Sequence, residues 1–189
     1  QELLTGKRRL PGFSGEWVDT TLGNVVDIRK GQLITSNTIK QGNVPVIAGG
    51  KTPAYFHNKA NRLGKTITVS ASGASAGYVW IHLSAIFASD CSTIEESSNY
   101  SIGFIYYWLK LMQEEIYYLQ TGGAQPHIHP SDLNPMPILI PRIEEQIAIE
   151  QVLSDMDAEI DNLVDKKHKY QDLKQAMMQQ LLTGKIRLI

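Results

Sequence analysis

One cysteine, Cys91, occurs in 189 residues, so no internal disulfide can form and a reducing compartment is expected. No run approaches the roughly 18 apolar residues needed to cross a bilayer. Nothing at the start of the chain has the pattern of a signal peptide, and the expected setting is cytoplasmic, away from membrane. The chain begins at Gln1 rather than Met, as a trimmed protein or a piece of a longer one would. Neither sign of charge dominates, since the net charge is −1. Proteins that neutralise phosphates usually carry a basic surplus, so the total argues mildly against nucleic acid. A hydrophobic share of 42% and a charged share of 20% suit a soluble globular protein. The length allows one ordinary domain plus an appendage.

Catalytic patterns are absent as well. Gly49-Gly-Lys-Thr52 looks like the end of a phosphate-binding loop, but the glycine required five positions before Gly50 is replaced by Pro45. Ser72-Gly-Ala-Ser-Ala-Gly77 lacks the spacing of a dinucleotide loop and is followed by a strand pattern rather than a helix. His127 and His129 sit close enough to flank a metal, yet no third ligand is placed by spacing and one cysteine completes no zinc site. Asn134-Pro-Met-Pro137 lacks the second proline and the aromatic of the Asn-Pro-Pro-Tyr motif of amino-methyltransferases. The chain reads as no enzyme by itself, and no metal is expected.

What is present is first a repeat. Gln1-Glu-Leu-Leu-Thr-Gly-Lys-Arg-Arg-Leu10 recurs as Gln179-Gln-Leu-Leu-Thr-Gly-Lys-Ile-Arg-Leu188, identical at eight of ten positions. The chain thus starts with the last turn of a helix like the one that closes it, and residues 11–178 read as one unit of a tandem arrangement. Leu10-Pro-Gly-Phe-Ser-Gly-Glu-Trp17 is a turn-rich connector. Strands are expected from Val25 through Ile28 to an end at Lys30-Gly31, at Val44–Ile47, at Thr66–Ser70 as a half-buried alternating run, at Tyr78–Ile81 and from Ile86. From Gly103 the period turns helical, with Phe104, Tyr107, Trp108, Leu111, Met112 and Ile116 on one face as far as Leu119. Thr121–Pro130 is a loop, a single turn can start at Ser131 and Asp132, and Met136–Pro141 is an extended apolar run.

The closing stretch, Ile143–Leu182, reads as one helix of about 60 Å at 1.5 Å per residue. Leu153, Met156, Ile160 and Leu163 alternate steps of three and four, the seam of a helix lying along another helix. Past Lys167 and Tyr170 the seam drifts to Leu173, Met177 and Leu181. The pattern calls for a partner, continuous in the first half and bundle-like in the second.

The charge is unevenly spread. Residues 1–75 carry ten Lys and Arg against four Asp and Glu, and the acids concentrate in the closing helix. Loops rich in glycine and serine lie beside Lys51, Tyr55, His57, Asn58, Lys59, Asn61, Arg62 and Lys65. These supply phosphate contacts and the Asn and Arg types that read base edges. Ser70, Ser72, Gln125 and His127 complete the candidate DNA-contacting set, with Lys51, Lys59 and Arg62 foremost.

The connector Leu10–Trp17, the loop Thr121-Gly-Gly-Ala-Gln-Pro-His-Ile128, the run Met136–Pro141 with Glu145-Gln-Ile-Ala-Ile149, and the closing Gln-Gln-Leu-Leu-Thr-Gly-Lys form an ordered set. Together they resemble the specificity subunit of type I restriction–modification enzymes, or half of one. Between about 24 and 118 there is little signature, as a region that varies with the DNA sequence read would show. The resemblance implies an α+β fold in three parts: a helix tail and connector at 1–13, a β-rich target recognition domain at 14–142, and a long helix at 143–189 that pairs antiparallel with another. It implies a non-catalytic subunit that reads one half of a bipartite, interrupted site in double-stranded DNA and docks methyltransferase and restriction subunits. S-adenosylmethionine, ATP and Mg belong to those partners, and this chain itself binds no cofactor. Either two copies pair as a homodimer or the chain is the second half of a tandem subunit. Two readings from other classes stand beside this one. The first is a protein-interaction module assembled by its rod, without DNA; the second is the recognition part of a fused restriction–methylation enzyme.

Overall fold

Thr66-Ile-Thr-Val-Ser70 is the strand on which the globular part is built, and every one of its residues is buried. An alternating strand is expected to bury only one face. Here both faces are covered, as the computed structural model shows; it describes residues 1–186, the side chain of Ser36 excepted. Ile67 and Val69 share a face with Ile94, while the Thr66, Thr68 and Ser70 side chains lie on the face of Trp80, His82 and Cys91. Cys91 belongs to a buried cluster with Ile47, Ile86 and Ala88, against which Trp80 packs. The polar groups on that face are largely satisfied. The Thr66 hydroxyl donates to the Gly64 carbonyl, and the Thr68 hydroxyl is 2.9 Å from His82 Nε2.

The strands are β1 (Val18–Thr21), β2 (Arg29–Lys30), β3 (Val44–Ile47), β4 (Tyr55–His57), β5 (Thr66–Ser70), β6 (Val79–His82), β7 (Phe87–Ala88), β8 (Cys91–Glu95) and β9 (Pro137–Ile140). They form a four-stranded antiparallel sheet in the order β2-β8-β5-β6, a three-stranded mixed sheet β4-β3-β7, and the pair β1-β9. In the mixed sheet β3 runs parallel to β7. The helices are α1 (Leu22–Val25), α2 (Ile102–Leu111), α3 (Gln113–Tyr118), α4 (Pro130–Leu133) and α5 (Ile143–Leu182), with single 3-10 turns at Ser36–Thr38 and Gly73–Ser75. The architecture is α+β, a β-rich domain with a long closing helix.

Helix α2 starts where the Ser101 hydroxyl accepts from the Phe104 N–H, an N-cap. It packs against β5 and β6, and Phe104, Ile105 and Leu109 are fully buried. The single helix read from Gly103 to Leu119 breaks at Met112, whose φ of −89° and ψ of 14° leave the helical region. Val25 closes α1 rather than opening a strand, because Leu22 is drawn wholly into the core.

The chain divides into two compact units, Gln1–Glu150 and a second that begins at Gln151. The first two turns of α5 thus stay with the globular unit. Glu145, Gln146 and Ile149 are buried there, and the Gln146 side chain accepts from the Ser101 N–H and donates to the Pro141 carbonyl. Glu145 receives two bonds from Arg9, at 2.6 and 2.7 Å, and one from Trp17 Nε1 at 3.2 Å. Arg9 also lies over the Trp17 ring. The connector is fastened to the start of α5 by these contacts.

In the second unit, α5 ends in a Schellman cap: Lys185 N–H bonds the Gln180 carbonyl and Gly184 N–H the Leu181 carbonyl. Gly184 takes a φ of 67°. The first copy of the repeat shares part of this ending. Gly6 has a φ of 70°, and Arg8 N–H reaches the Glu2 carbonyl as Ile186 N–H reaches that of Gln180. The Thr5 and Thr183 hydroxyls each turn back on carbonyls three and four residues earlier. Arg187 and Leu188 of the repeat, and Ile189 at the end of the expected helical region, lie outside the described residues. The seam of α5 is largely open: Met156 is 56% exposed, Ile160 and Leu163 54% each and Tyr170 58%, with Leu153 and Leu181 half-buried. Among the described residues no helix is long and apolar enough to cross a membrane.

Candidate nucleic-acid interface

The registers of the two larger sheets bring several loops to one end. Ser70 at the end of β5 pairs with Cys91 at the start of β8, and Lys30 at the end of β2 pairs with Ser92. Ile47, at the end of β3, pairs with Ala88 two residues before Asp90. The turn after β3, the loop between β5 and β6, and Asp90 therefore share this end. Gly49 permits their close approach: a side chain there would meet the Ser72 carbonyl oxygen at 2.6 Å. The loop around His127 joins them through bridges to Ser72 and Thr121, with Gly73 N–H donating to the Pro126 carbonyl and Ile128 N–H to that of Ala71. Ile128 is fully buried, so this loop is braced from beneath.

The end carries Lys30, Lys51, Lys110, His127 and His129. Asp90 is present too, and its carboxylate accepts from the Ser72 hydroxyl. The imidazoles of His127 and His129 stack at 6.5 Å with 10° between their planes. A cavity of about 240 Å³ opens between them and the sheet, lined by Lys30, Leu33, Asp90, Ser92, His127 and His129 among others. Cys91 lies at its base, its thiol pushed up to about 12 by burial, which removes it as a nucleophile near neutral pH. Among the described residues no group of three or more His, Cys, Asp or Glu is placed to hold a metal ion. The end offers positive charge and small-residue loops, features suited to a phosphate backbone.

The residues expected from sequence fall into three groups. Lys51, Ser72, Gln125 and His127 come together here. Tyr55 lies beside the β3–β4 turn, paired with Val46, while Asn58 and Lys59 are exposed beyond the other end of β4. The third group is buried or has its polar atoms engaged within the protein. His57 is 7% exposed, accepts the Lys40 N–H on Nδ1 and meets Phe87 edge-on. Asn61 gives and takes one bond each with the Ala88 backbone. Arg62 bonds Thr93 and two backbone carbonyls and pairs with Glu95 at 3.2 Å. Ser70 is buried, with no hydrogen-bond partner for its hydroxyl. Sequence reasoning did not place Lys30, Lys110 or Tyr78 at this end. They come from β2, α2 and the β5–β6 loop, and only the tertiary fold brings Lys110 onto the Tyr78 ring.

Comparison with known proteins bears on the family of the chain. A family model described as the type I restriction modification DNA specificity domain matches residues 14–171. A Mycoplasma pneumoniae protein named for a type I specificity subunit is 30% identical over 165 residues, covering 85% of this chain and 44% of that protein. A Mycoplasma genitalium protein of the same description is 30% identical over 152 residues, with 78% and 39% covered. Among solved structures, the S subunit of a type I restriction–modification system from M. genitalium superposes with a TM-score of 0.71 at 26% identity, over 90% of this chain and 47% of that one. The HsdS subunit from Thermoanaerobacter tengcongensis gives 0.60 at 22% identity, over 90% and 46%, a likeness of fold. The chain spans less than half the length of these relatives.

Proposed function

We propose a function from the premise that this chain belongs to the type I restriction–modification DNA specificity family: it reads one half of a bipartite, interrupted site in double-stranded DNA. The observation that carries the reading is the loop end of the recognition domain. Lys30, His127 and His129 line a cavity with Asp90, whose carboxylate is already hydrogen-bonded to Ser72, and Lys51 and Lys110 lie over the Tyr78 ring. Lysines placed there position the duplex through its phosphates, and loop side chains such as Gln125 reach toward base edges.

In this reading the other half-site is read by a second recognition domain, brought by a second copy or by the rest of a longer chain. Helix α5 supplies the spacing. Its charge favours antiparallel pairing: residues 143–165 carry eight acids and no Lys or Arg, while 166–186 carry five lysines and one acid, Asp172. Antiparallel alignment sets the acidic half of each rod against the basic half of the other; parallel alignment sets like against like. The paired subunit docks methyltransferase and restriction subunits, which contribute S-adenosylmethionine, ATP and Mg. This chain contributes recognition and no catalytic group.

The test is selection from a random-sequence duplex pool by the full chain mixed with type I methyltransferase subunits. Enrichment of an interrupted motif is expected. Retention of duplexes without sequence preference, or of none, would favour the protein-interaction reading.

A further inference from the structure

We propose that Lys51 and Lys110, both held over the ring of Tyr78, form a two-cation clamp on the phosphates of one DNA strand, with Tyr78 as the positioning residue. The proposal rests on the DNA reading above and assigns to it two residues, Tyr78 and Lys110, from outside the loops that read as DNA-binding in sequence. Lys51 Nζ lies 5.2 Å from the ring centroid and Lys110 Nζ 5.4 Å. Their separation cannot exceed the sum of those distances. Phosphates recur at roughly 3.4 Å of axial rise along each strand and lie further apart through space, so a span of this size suits one phosphate or two neighbouring ones.

Two features argue that this is more than chance neighbourhood. Neither lysine forms an ion pair with a carboxylate among the described residues. Two like charges within about a Debye length repel each other, and a ring face offsets only part of that. An anion lying between them would satisfy both. The backbone that carries the ring is also fixed in place. The Gln113 side chain bonds the backbone of both sequence neighbours of Tyr78, donating to the Gly77 carbonyl at 2.8 Å and accepting the Val79 N–H at 3.0 Å. Tyr78 N–H donates to the Ser75 carbonyl and its own carbonyl accepts from Ser70 N–H. Lysines resting on a ring lose less freedom when a phosphate arrives than lysines free in solvent.

Roles of charge and of position separate in the salt dependence of binding to a random-sequence duplex, measured by anisotropy with the full chain. Lys110→Gln and Lys51→Gln should each flatten the plot of log affinity against log salt by about 0.9 and weaken binding about eightfold at 0.1 M salt. Tyr78→Leu should weaken binding about two- to fivefold while leaving the slope as it was, because both charges remain. Tyr78→Phe should bind as the unaltered chain does, which also guards against loss of fold in the leucine variant. Unaltered binding and slope in both lysine variants, beside an unaltered chain that binds, would overturn the clamp alone. An unaltered chain with no affinity for duplex would overturn the DNA reading and the clamp together.

Discussion

At the scale of single residues, side-chain type was a poor guide to role in the basic stretch 57–62. His57, Asn61 and Arg62 have the chemistry of DNA contacts, yet Asn61 serves as a continuation of the β7 backbone and Arg62 ties β2 to β8. Sequence shows which hydrogen-bonding groups a residue owns, but not whether the fold has already used them. Lys51, Ser72, Gln125 and His127 do come to one end of the fold, in loops with glycine neighbours, although the Ser72 hydroxyl is spent on Asp90. His82 illustrates the reverse case, a titratable group without a part in binding. Burial lowers its pKa to about 4 from an ordinary 6.5, and its Nε2 faces the Thr68 hydroxyl. The unfolded chain therefore takes up a proton at His82 where the folded chain does not. Its contribution to stability is complete above about pH 6.5 and is lost as pH falls toward 4. Thermal melts should show Tm falling across that window, and His82→Gln should flatten the fall; an equal slope in the variant would remove His82 as its source.

At the scale of elements, the long helix, β3 and β5 were legible because the first is long and periodic, the second purely apolar and the third cleanly alternating. β8 was not: Cys-Ser-Thr-Ile-Glu alternates weakly and reads as polar, and it becomes a strand because β2 and β5 pair on either side of it. The division at Gln151 rather than at Ile143 has a local cause, since the first turns of α5 are tied down by side chains from far earlier in the chain. Glu145 is the strongest tie. Its side chain is 4% exposed and its partner Arg9 reaches it from the connector. Removing one partner of a buried ion pair leaves an uncompensated charge and typically costs about 3–5 kcal/mol. Arg9→Ala should therefore lower unfolding free energy by about that amount, less whatever Trp17 Nε1 retains, in a denaturant titration. A loss below about 1 kcal/mol would mean that the pair is solvated and that the connector is held by packing instead.

At the scale of the whole molecule, the chain presents an apolar row that no described residue covers and a charge pattern that names its complement. Met156, Ile160, Leu163, Tyr170 and Leu173 are each more than half exposed along one helix, a state that costs free energy in water and that burial against a like helix relieves. Light scattering at micromolar concentration should give twice the chain mass of 21.1 kDa, and Ile160→Asp with Leu163→Asp should return it to one. Salt then distinguishes orientation. In an antiparallel pair the facing halves attract, so dissociation should become easier as salt rises from about 0.05 to 0.5 M and the Debye length shortens. In a parallel pair the facing halves repel, and the same salt would tighten it. A chain that stays single at every salt concentration would remove the second copy as the partner and leave the helix to another recognition unit within a longer chain. The acidic and basic halves of α5 would then face their opposites intramolecularly, and the salt dependence would appear in the melting of that longer chain rather than in its mass.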